Sequence, residues 1–287
     1  MKLKFCSINF WPDAWDSDFY DYLLKLSIGS DFEWVNSQSE ADVVFTSVFG
    51  NQISNPENTI LISAERPSPL LLRCTFSLSH DVDDWSGKNC YCPYWLTRLA
   101  WPDFVPHSDS REPLISIENL TRRRSLSSKL NSKEFCAIFA RNPEPLRLNL
   151  FGLLSGYRQV DGFGLLFNNY CKDSKFKILR NYKFCLCPEN SLSPGYITEK
   201  LFDAYASNVI PVYYGPTDVC RFNINPKAII NYSNFECSED FLEFIKSVDS
   251  SESLYRSIYE EPLLLDQPTL ERQTKFLQKA ISTIIRN

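Results

Sequence analysis

The segment Tyr182–Gly215, YKFCLCPENSLSPGYITEKLFDAYASNVIPVYYG, constrains the fold of this chain most, because it carries strand, loop, helix and strand signals in a fixed order. Tyr182–Cys187 is a short apolar and aromatic run, and Asn190–Gly195 is rich in Ser, Pro and Gly. Ile197, Leu201, Ala204 and Tyr205 recur at the spacing of one helix face. Asn208 is a helix-stop residue, and Val209–Tyr214 is a second β-branched and aromatic run closed by Gly215. Two strands joined through a helix make a parallel crossover unit. Ligands of such sheets sit at the strand ends that face the helix N-termini.

The pattern places Lys200 in or near the first turn of that helix. A cation there opposes the helix dipole at a cost of a few tenths of a kcal/mol. The placement makes sense if an anion occupies the site, where unpaired N–H groups and the ammonium converge on it. Glu199 cannot serve a phosphate but can bind hydroxyls of a ribose or a sugar. The plainer alternative is a surface Glu-Lys pair at a helix start.

The first half alternates strand and helix patterns: strands over Leu3–Phe10, Phe32–Val35, Asp42–Ser47 and Thr59–Ser63, and a helix over Trp15–Ile28. A second unit opens with a strand over Phe135–Ala140 and a helix over Leu146–Gly156. The tail Thr269–Asn287 carries Leu270, Phe276, Leu277, Ala280, Ile281 and Ile284 on a helical stripe. The pattern alone gives an α/β chain of two units. Ser110–Lys133 is polar and reads as a linker or a loop crossing the cleft; its run Arg122-Arg123-Arg124 reads as solvated.

With 287 residues and 44% hydrophobic content the chain suits two domains better than one. A net charge of −5 gives no overall basic field for nucleic acid. No apolar run reaches the ~18 residues of a membrane span, and no leader pattern follows Met1. The expectation is a cytoplasmic protein with at most peripheral membrane contact. The ten cysteines read as reduced and buried, with Cys90/Cys92 and Cys185/Cys187 each sharing a strand face. With two histidines, His80 and His107, and no CxxC, a structural zinc site is not expected. Asp81-Val82-Asp83 matches a DxD metal motif, but three residues are a weak signal and they lie away from the Lys200 unit.

The series Phe184…Pro188-Glu189-Asn190-Ser191…Tyr196-Ile197-Thr198-Glu199-Lys200-Leu201…Ala204…Val209-Ile210-Pro211-Val212-Tyr213-Tyr214-Gly215 resembles the donor-binding signature of the α-1,3/α-1,4-fucosyltransferases. These are inverting, GDP-fucose-dependent enzymes, and the match is long and combines several unusual residue types. Cys187-Pro188 departs from the aromatic that usually precedes Glu-Asn. The resemblance implies a B-type glycosyltransferase fold, with two Rossmann-like domains facing each other across a cleft. The expected division is an acceptor-binding domain over 1–130, a GDP-fucose-binding domain over 131–268 and a C-terminal helix over 269–287. Eukaryotic members of that family carry an N-terminal anchor helix that this chain lacks, so a soluble, bacterial-type member is expected. The weak DxD match leads to the expectation of no required metal, with Mn²⁺ stimulation through product GDP at most. The alternatives are a related transferase for another nucleotide sugar or an inactive glycan- or nucleotide-binding module. The acceptor would be an oligosaccharide containing GlcNAc or Glc, of the Lewis-type glycan class.

Transfer from a nucleotide diphosphate requires a neutralised leaving group and a deprotonated acceptor hydroxyl. Arg147 suits the first task beside Lys200. It follows the turn-rich Asn142-Pro143-Glu144-Pro145-Leu146, opens a helix, and its planar fork fits phosphate. Arg141-Asn142-Pro143…Arg147 resembles the family element whose arginine binds the donor phosphate. Asn190, Tyr196, Glu199 and Lys200 are donor contacts by the same resemblance, although Tyr196 could instead pack the helix entry. Glu65, in an abrupt turn after Thr59–Ser63, is the candidate base, at a strand end where such sheets place ligands. The resemblance implies the same role. The alternative is a solvated turn residue paired with Arg66.

Overall fold

The structure is a computed structural model that describes residues 2–10, 17–50, 53–63, 74–106, 112–126 and 130–286. Two parallel sheets organise the chain. The first contains β1 (Leu3–Ile8), β2 (Phe32–Trp34), β3 (Val43–Thr46), β4 (Thr59–Ser63), β5 (Phe76–Ser79) and β6 (Asn89–Tyr91), in the order β2-β1-β3-β4-β5-β6. A short ladder pairs β7 (Leu99–Ala100) with β8 (Ile115–Ser116). The second sheet contains β9 (Glu134–Phe139), β10 (Val160–Phe163), β11 (Tyr182–Pro188), β12 (Ile210–Tyr214) and β13 (Ile230–Asn231), in the order β10-β9-β11-β12-β13.

Both sheets follow one winding rule. The chain steps to one side after the first strand, crosses back, and then adds strands on the other side. This is the doubly wound order 2-1-3-4-5, whose switch point lies between the first and third strands. In the second sheet the switch point falls between β9 and β11, with Leu186 paired to Ile138. Strands β3, β4 and β11 are buried along their whole length, as expected of parallel strands covered on both faces.

The helices are α1 (Ser17–Ile28), α2 (Ile117–Thr121), α3 (Pro145–Ser155), α4 (Lys175–Leu179), α5 (Glu199–Ala206), α6 (Ser238–Ser250), α7 (Glu252–Tyr259) and α8 (Glu271–Arg286). The C-terminal helix α8 buries the predicted stripe Leu277, Ala280, Ile281 and Ile284, and it packs against α1, β3 and β6 of the first sheet. The chain thus returns to the unit where it began. No helix among the described residues is long and apolar enough to cross a membrane.

The two units share a hydrophobic cluster. Trp95, on the turn Tyr94–Arg98 of the first unit, stacks on Phe202 of α5 with centroids 4.4 Å apart. Arg98 reaches Asp203 of α5 at 3.6 Å. Tyr91 donates its hydroxyl to the Gly195 carbonyl at 3.1 Å. Gly195 has φ +80°, and a Cβ there would lie 2.4 Å from the His80 carbonyl oxygen, so both the conformation and the close approach require glycine. These contacts bring the carboxyl edge of β5 against the loop that follows β11.

Three local expectations are corrected. The segment around Ser110–Lys133 is no bare linker: β8 and α2 lie within it, and Ile115 and Leu120 are core residues. Arg124 is held between the rings of Tyr205 and Tyr259, at 3.6 and 4.1 Å, and donates to both of their carbonyls. Only its neighbours are exposed, with Arg122 paired to Glu118 and Arg123 to Glu261. All ten cysteines are free thiols, but Cys220 and Cys237 are exposed.

A buried ion cluster ties α6 to β11. Asp249 accepts from Lys183 at 2.8 Å, Arg158 at 2.7 Å and the Tyr157 hydroxyl at 3.1 Å, and its side chain is 3% exposed. Burial works against its charge, but the hydrogen bonds from Lys183 and Arg158 outweigh it and hold the carboxyl below its ordinary value. Its contribution is therefore complete above the unfolded carboxylate value of about 3.9 and is lost as pH falls through the lower, folded value. Asp249→Asn should cost about 3 kcal/mol at neutral pH, because Lys183 is left buried without its counter-ion. Urea titration measures this, and the deficit should shrink below about pH 4.

Candidate active site

The predicted donor residues Arg147, Asn190, Glu199 and Lys200 lie on α3, the loop after β11 and α5 of the second unit. At the end of β9 the chain turns through Ala140–Glu144, and Pro145 opens α3. Arg147 lies in the first turn of α3, buried, and donates to the Asn142 carbonyl and to Asn190 Oδ1, the latter at 2.5 Å. Asn190 follows the end of β11 by two residues. The structure thus joins Arg147 and Asn190 directly across the gap between β9 and β11.

Lys200 is the second residue of α5, behind the N-cap Thr198. Its ammonium donates to Thr198 Oγ1 at 2.9 Å and to Glu189 Oε2 at 3.2 Å, and it pairs with Glu199 at 3.8 Å. Burial opposes the charge, but Glu199 and Glu189 overcome it and hold the ammonium above its ordinary value. Arg147 is close enough to act on Lys200 electrostatically. For Glu199, too, burial is outweighed, here by Lys200 and Lys175, and its carboxyl stays below the ordinary range. Lys175 and Arg98 both pair with Asp203, one turn further along α5. The floor of the site therefore mixes cations and carboxylates: Lys200, Lys175 and Arg98 act on Glu199 at the start of α5, and Arg147 acts on Glu189 and Lys200.

Glu189 was not among the residues predicted from sequence. It is 4% exposed, and its carboxylate accepts from the Thr198 N–H at 2.8 Å and the Thr198 hydroxyl at 2.7 Å, besides Lys200. The Tyr213 hydroxyl lies 3.5 Å away. Burial pushes its carboxyl up, against the pull of Lys200 and Thr198. The available signal was an acidic residue directly after a buried, mostly apolar strand, where a charge stays only if it has partners.

Tyr196 lies inside the protein, 1% exposed and edge-on to His80 at 5.0 Å. It packs the loop preceding α5 against the first unit. Ile197, expected on the helix, precedes it and is buried as well. Glu65 lies outside the described residues. Strand β4, which leads toward it, ends at Ser63, paired with Ser79, and the next residue after Ser79 is the His80 that meets Tyr196.

The DxD segment has a local structural use. Asp81, Asp83 and Asp84 accept from the backbone N–H groups of Asp83, Trp85 and Ser86, each two residues on, at 3.1, 2.9 and 3.0 Å. Such turns fix a loop in which Trp85 and Ser86 have positive φ. Among the described residues no three His, Cys, Asp or Glu side chains gather as metal ligands.

This geometry has relatives. Residues 129–261 match the family model described as Glycosyltransferase family 10 (fucosyltransferase) C-term. An alpha-(1,3)-fucosyltransferase of Helicobacter pylori is 25% identical over 304 aligned positions, covering 96% of this chain and 63% of that protein. A 3-galactosyl-N-acetylglucosaminide 4-alpha-L-fucosyltransferase of Bos taurus is 32% identical over 175 positions, covering 60% of this chain and 43% of that protein. The chain therefore spans only part of the length of these relatives. A crystal structure of an alpha1,3-fucosyltransferase with GDP-fucose superposes with a TM-score of 0.74 at 24% identity, over all of this chain and 91% of that one. The likeness extends to both units and assigns the B-type glycosyltransferase fold. The matched region contains β9 to β13 and every residue of the Arg147–Glu189–Lys200 network, and over that region the chain is similar to glycosyltransferase family 10, the fucosyltransferase family.

Proposed function

We propose that this chain is an inverting fucosyltransferase that moves L-fucose from GDP-fucose to a hydroxyl of a GlcNAc or Glc unit in an oligosaccharide, making an α-1,3 or α-1,4 linkage. One observation carries the reading: Arg147, bonded to Asn190 at the sheet's switch point, lies close enough to act electrostatically on Lys200 in the first turn of α5. Two fixed cations and a helix N-terminus suit a diphosphate leaving group. Glu199, held ionised, would accept from donor hydroxyls. Asn190 would set the guanidinium of Arg147, and Tyr196 would anchor the loop between them. Glu65 would take the proton of the acceptor hydroxyl, reached from the carboxyl edge of the facing sheet. In-line attack on the β-linked donor would then give an α-linked product.

The reading is tested by incubating the protein with GDP-fucose, GDP-mannose and UDP-sugars, each with and without an N-acetyllactosamine acceptor. The expected result is acceptor-dependent GDP release from GDP-fucose and an α-anomeric proton in the product NMR spectrum. Turnover of a different nucleotide sugar, a β-fucoside, or no turnover with any donor would contradict it. Because the protein's own cations face the leaving group, EDTA should leave most of the activity, and Mn²⁺ should stimulate only modestly by pairing with product GDP. Complete loss in EDTA, restored by metal and mimicked by Asp83→Asn, would assign that charge to a metal held by the DxD loop.

A further inference from the structure

Glu189 is the group at this site that binding a diphosphate does not explain. A carboxylate beside Lys200 weakens an anion site by simple Coulomb repulsion. It is also buried at the end of an apolar strand, where its desolvation costs several kcal/mol. Its partners give it a use. Oε1 accepts the Thr198 N–H, and Oε2 accepts both the Thr198 hydroxyl and the Lys200 ammonium. The same hydroxyl accepts a second hydrogen from Lys200. Two hydrogens of the ammonium are thus fixed, and Glu199, at 3.8 Å, is too far to take the third by a hydrogen bond.

The arrangement also changes the helix end. Thr198 is the N-cap of α5, yet its side chain makes no capping hydrogen bond. A threonine at this position ordinarily covers the N–H of the second or third helical residue. Here the hydroxyl is drawn to Glu189 and covers none of the first N–H groups of α5, of which the Glu199 N–H is met by its own carboxylate and the next are left to a ligand.

We propose that Glu189 is a positioning residue of the donor site: through Thr198 it fixes the Lys200 ammonium and keeps the cap hydroxyl off the N–H groups beyond Glu199 that the diphosphate would meet. This inference rests on the reading of that site given above. A rival role makes the opposite prediction. If Glu189 only balanced charge, its neutralisation would tighten anion binding.

The test is a double-mutant cycle read by calorimetric titration with GDP and, separately, inorganic pyrophosphate. Glu189→Gln should weaken both ligands about tenfold, the size of a lost charge-assisted contact. In the Lys200→Ala background the same change should cost less than about threefold, because the cation it positions is gone. Thr198→Val keeps the Glu189 charge and the backbone N–H but removes the hydroxyl bridge, and it should weaken both ligands in the same direction. This second variant decides the matter if Glu189→Gln does not fold. Unchanged or tighter binding in Glu189→Gln, or in Thr198→Val where that variant decides, would overturn the inference, as would an equal loss in the Lys200→Ala background. Lys200→Ala that binds GDP as wild type would overturn the site reading itself, and the inference with it.

Discussion

Glu65→Gln is expected to lower turnover by about 10²- to 10⁴-fold, the range lost when a general base is removed. Glutamine keeps the size and much of the hydrogen bonding of glutamate but cannot accept the proton of the acceptor hydroxyl. GDP affinity should stay near wild type, since the donor cations sit on the opposite sheet, at Arg147 and Lys200. The defect should therefore fall on turnover, with little change in donor KM. The acidic limb of the wild-type rate profile, where the base becomes protonated, should be lost in the variant. Steady-state kinetics across pH with a fixed acceptor measures all three. A Glu65→Gln protein that turns over at wild-type speed would place the base elsewhere.

Much of the second unit was legible in the sequence because several local signals agreed. The apolar run of β11, the period of α5 and the left-handed Asn208 at φ +61° all pointed to one crossover. Lys200 stood out because its charge opposed the helix dipole. Other features depend on distant partners and leave little local trace. Strand β10 buries only Val160 and Phe163, and α4 is a five-residue helix, so neither shows a clear period. Arg124 looks like Arg122 and Arg123 until Tyr205 and Tyr259 close on it from elsewhere in the chain. The stripe on α8 indicated a packed helix but not its target, which is set by the return of the chain to α1. Glu189 stands in the signature, but its use depends on Thr198 and Lys200, nine and eleven residues on, and leaves no local trace.

Arg147→Ala and Lys200→Ala are each expected to cost about 1.5–3 kcal/mol of transition-state stabilisation, roughly ten- to a hundredfold in rate. On the proposed reading each removes a charge-assisted contact to the departing diphosphate. Lysine at position 147 should restore only part of the loss, since an ammonium cannot donate at once to Asn142, Asn190 and a phosphate in the planar geometry of the guanidinium. Lys200→Arg should also fall short, because a longer, planar guanidinium cannot reproduce the ammonium's two hydrogen bonds to Thr198 and Glu189 from the same position. Lys200 is held above its ordinary value by Glu199 and Glu189. Donor binding by the wild type should therefore show no alkaline limb below about pH 10 that belongs to this residue.

The most direct test of the donor site is calorimetric titration of GDP and of guanosine into the wild type, Arg147→Ala and Lys200→Ala. The account predicts that the wild type binds GDP far more tightly than guanosine. It predicts that each substitution erodes that difference about ten- to a hundredfold while leaving guanosine affinity unchanged. GDP affinity equal to wild type in both variants would contradict the assignment of Arg147 and Lys200 to the diphosphate.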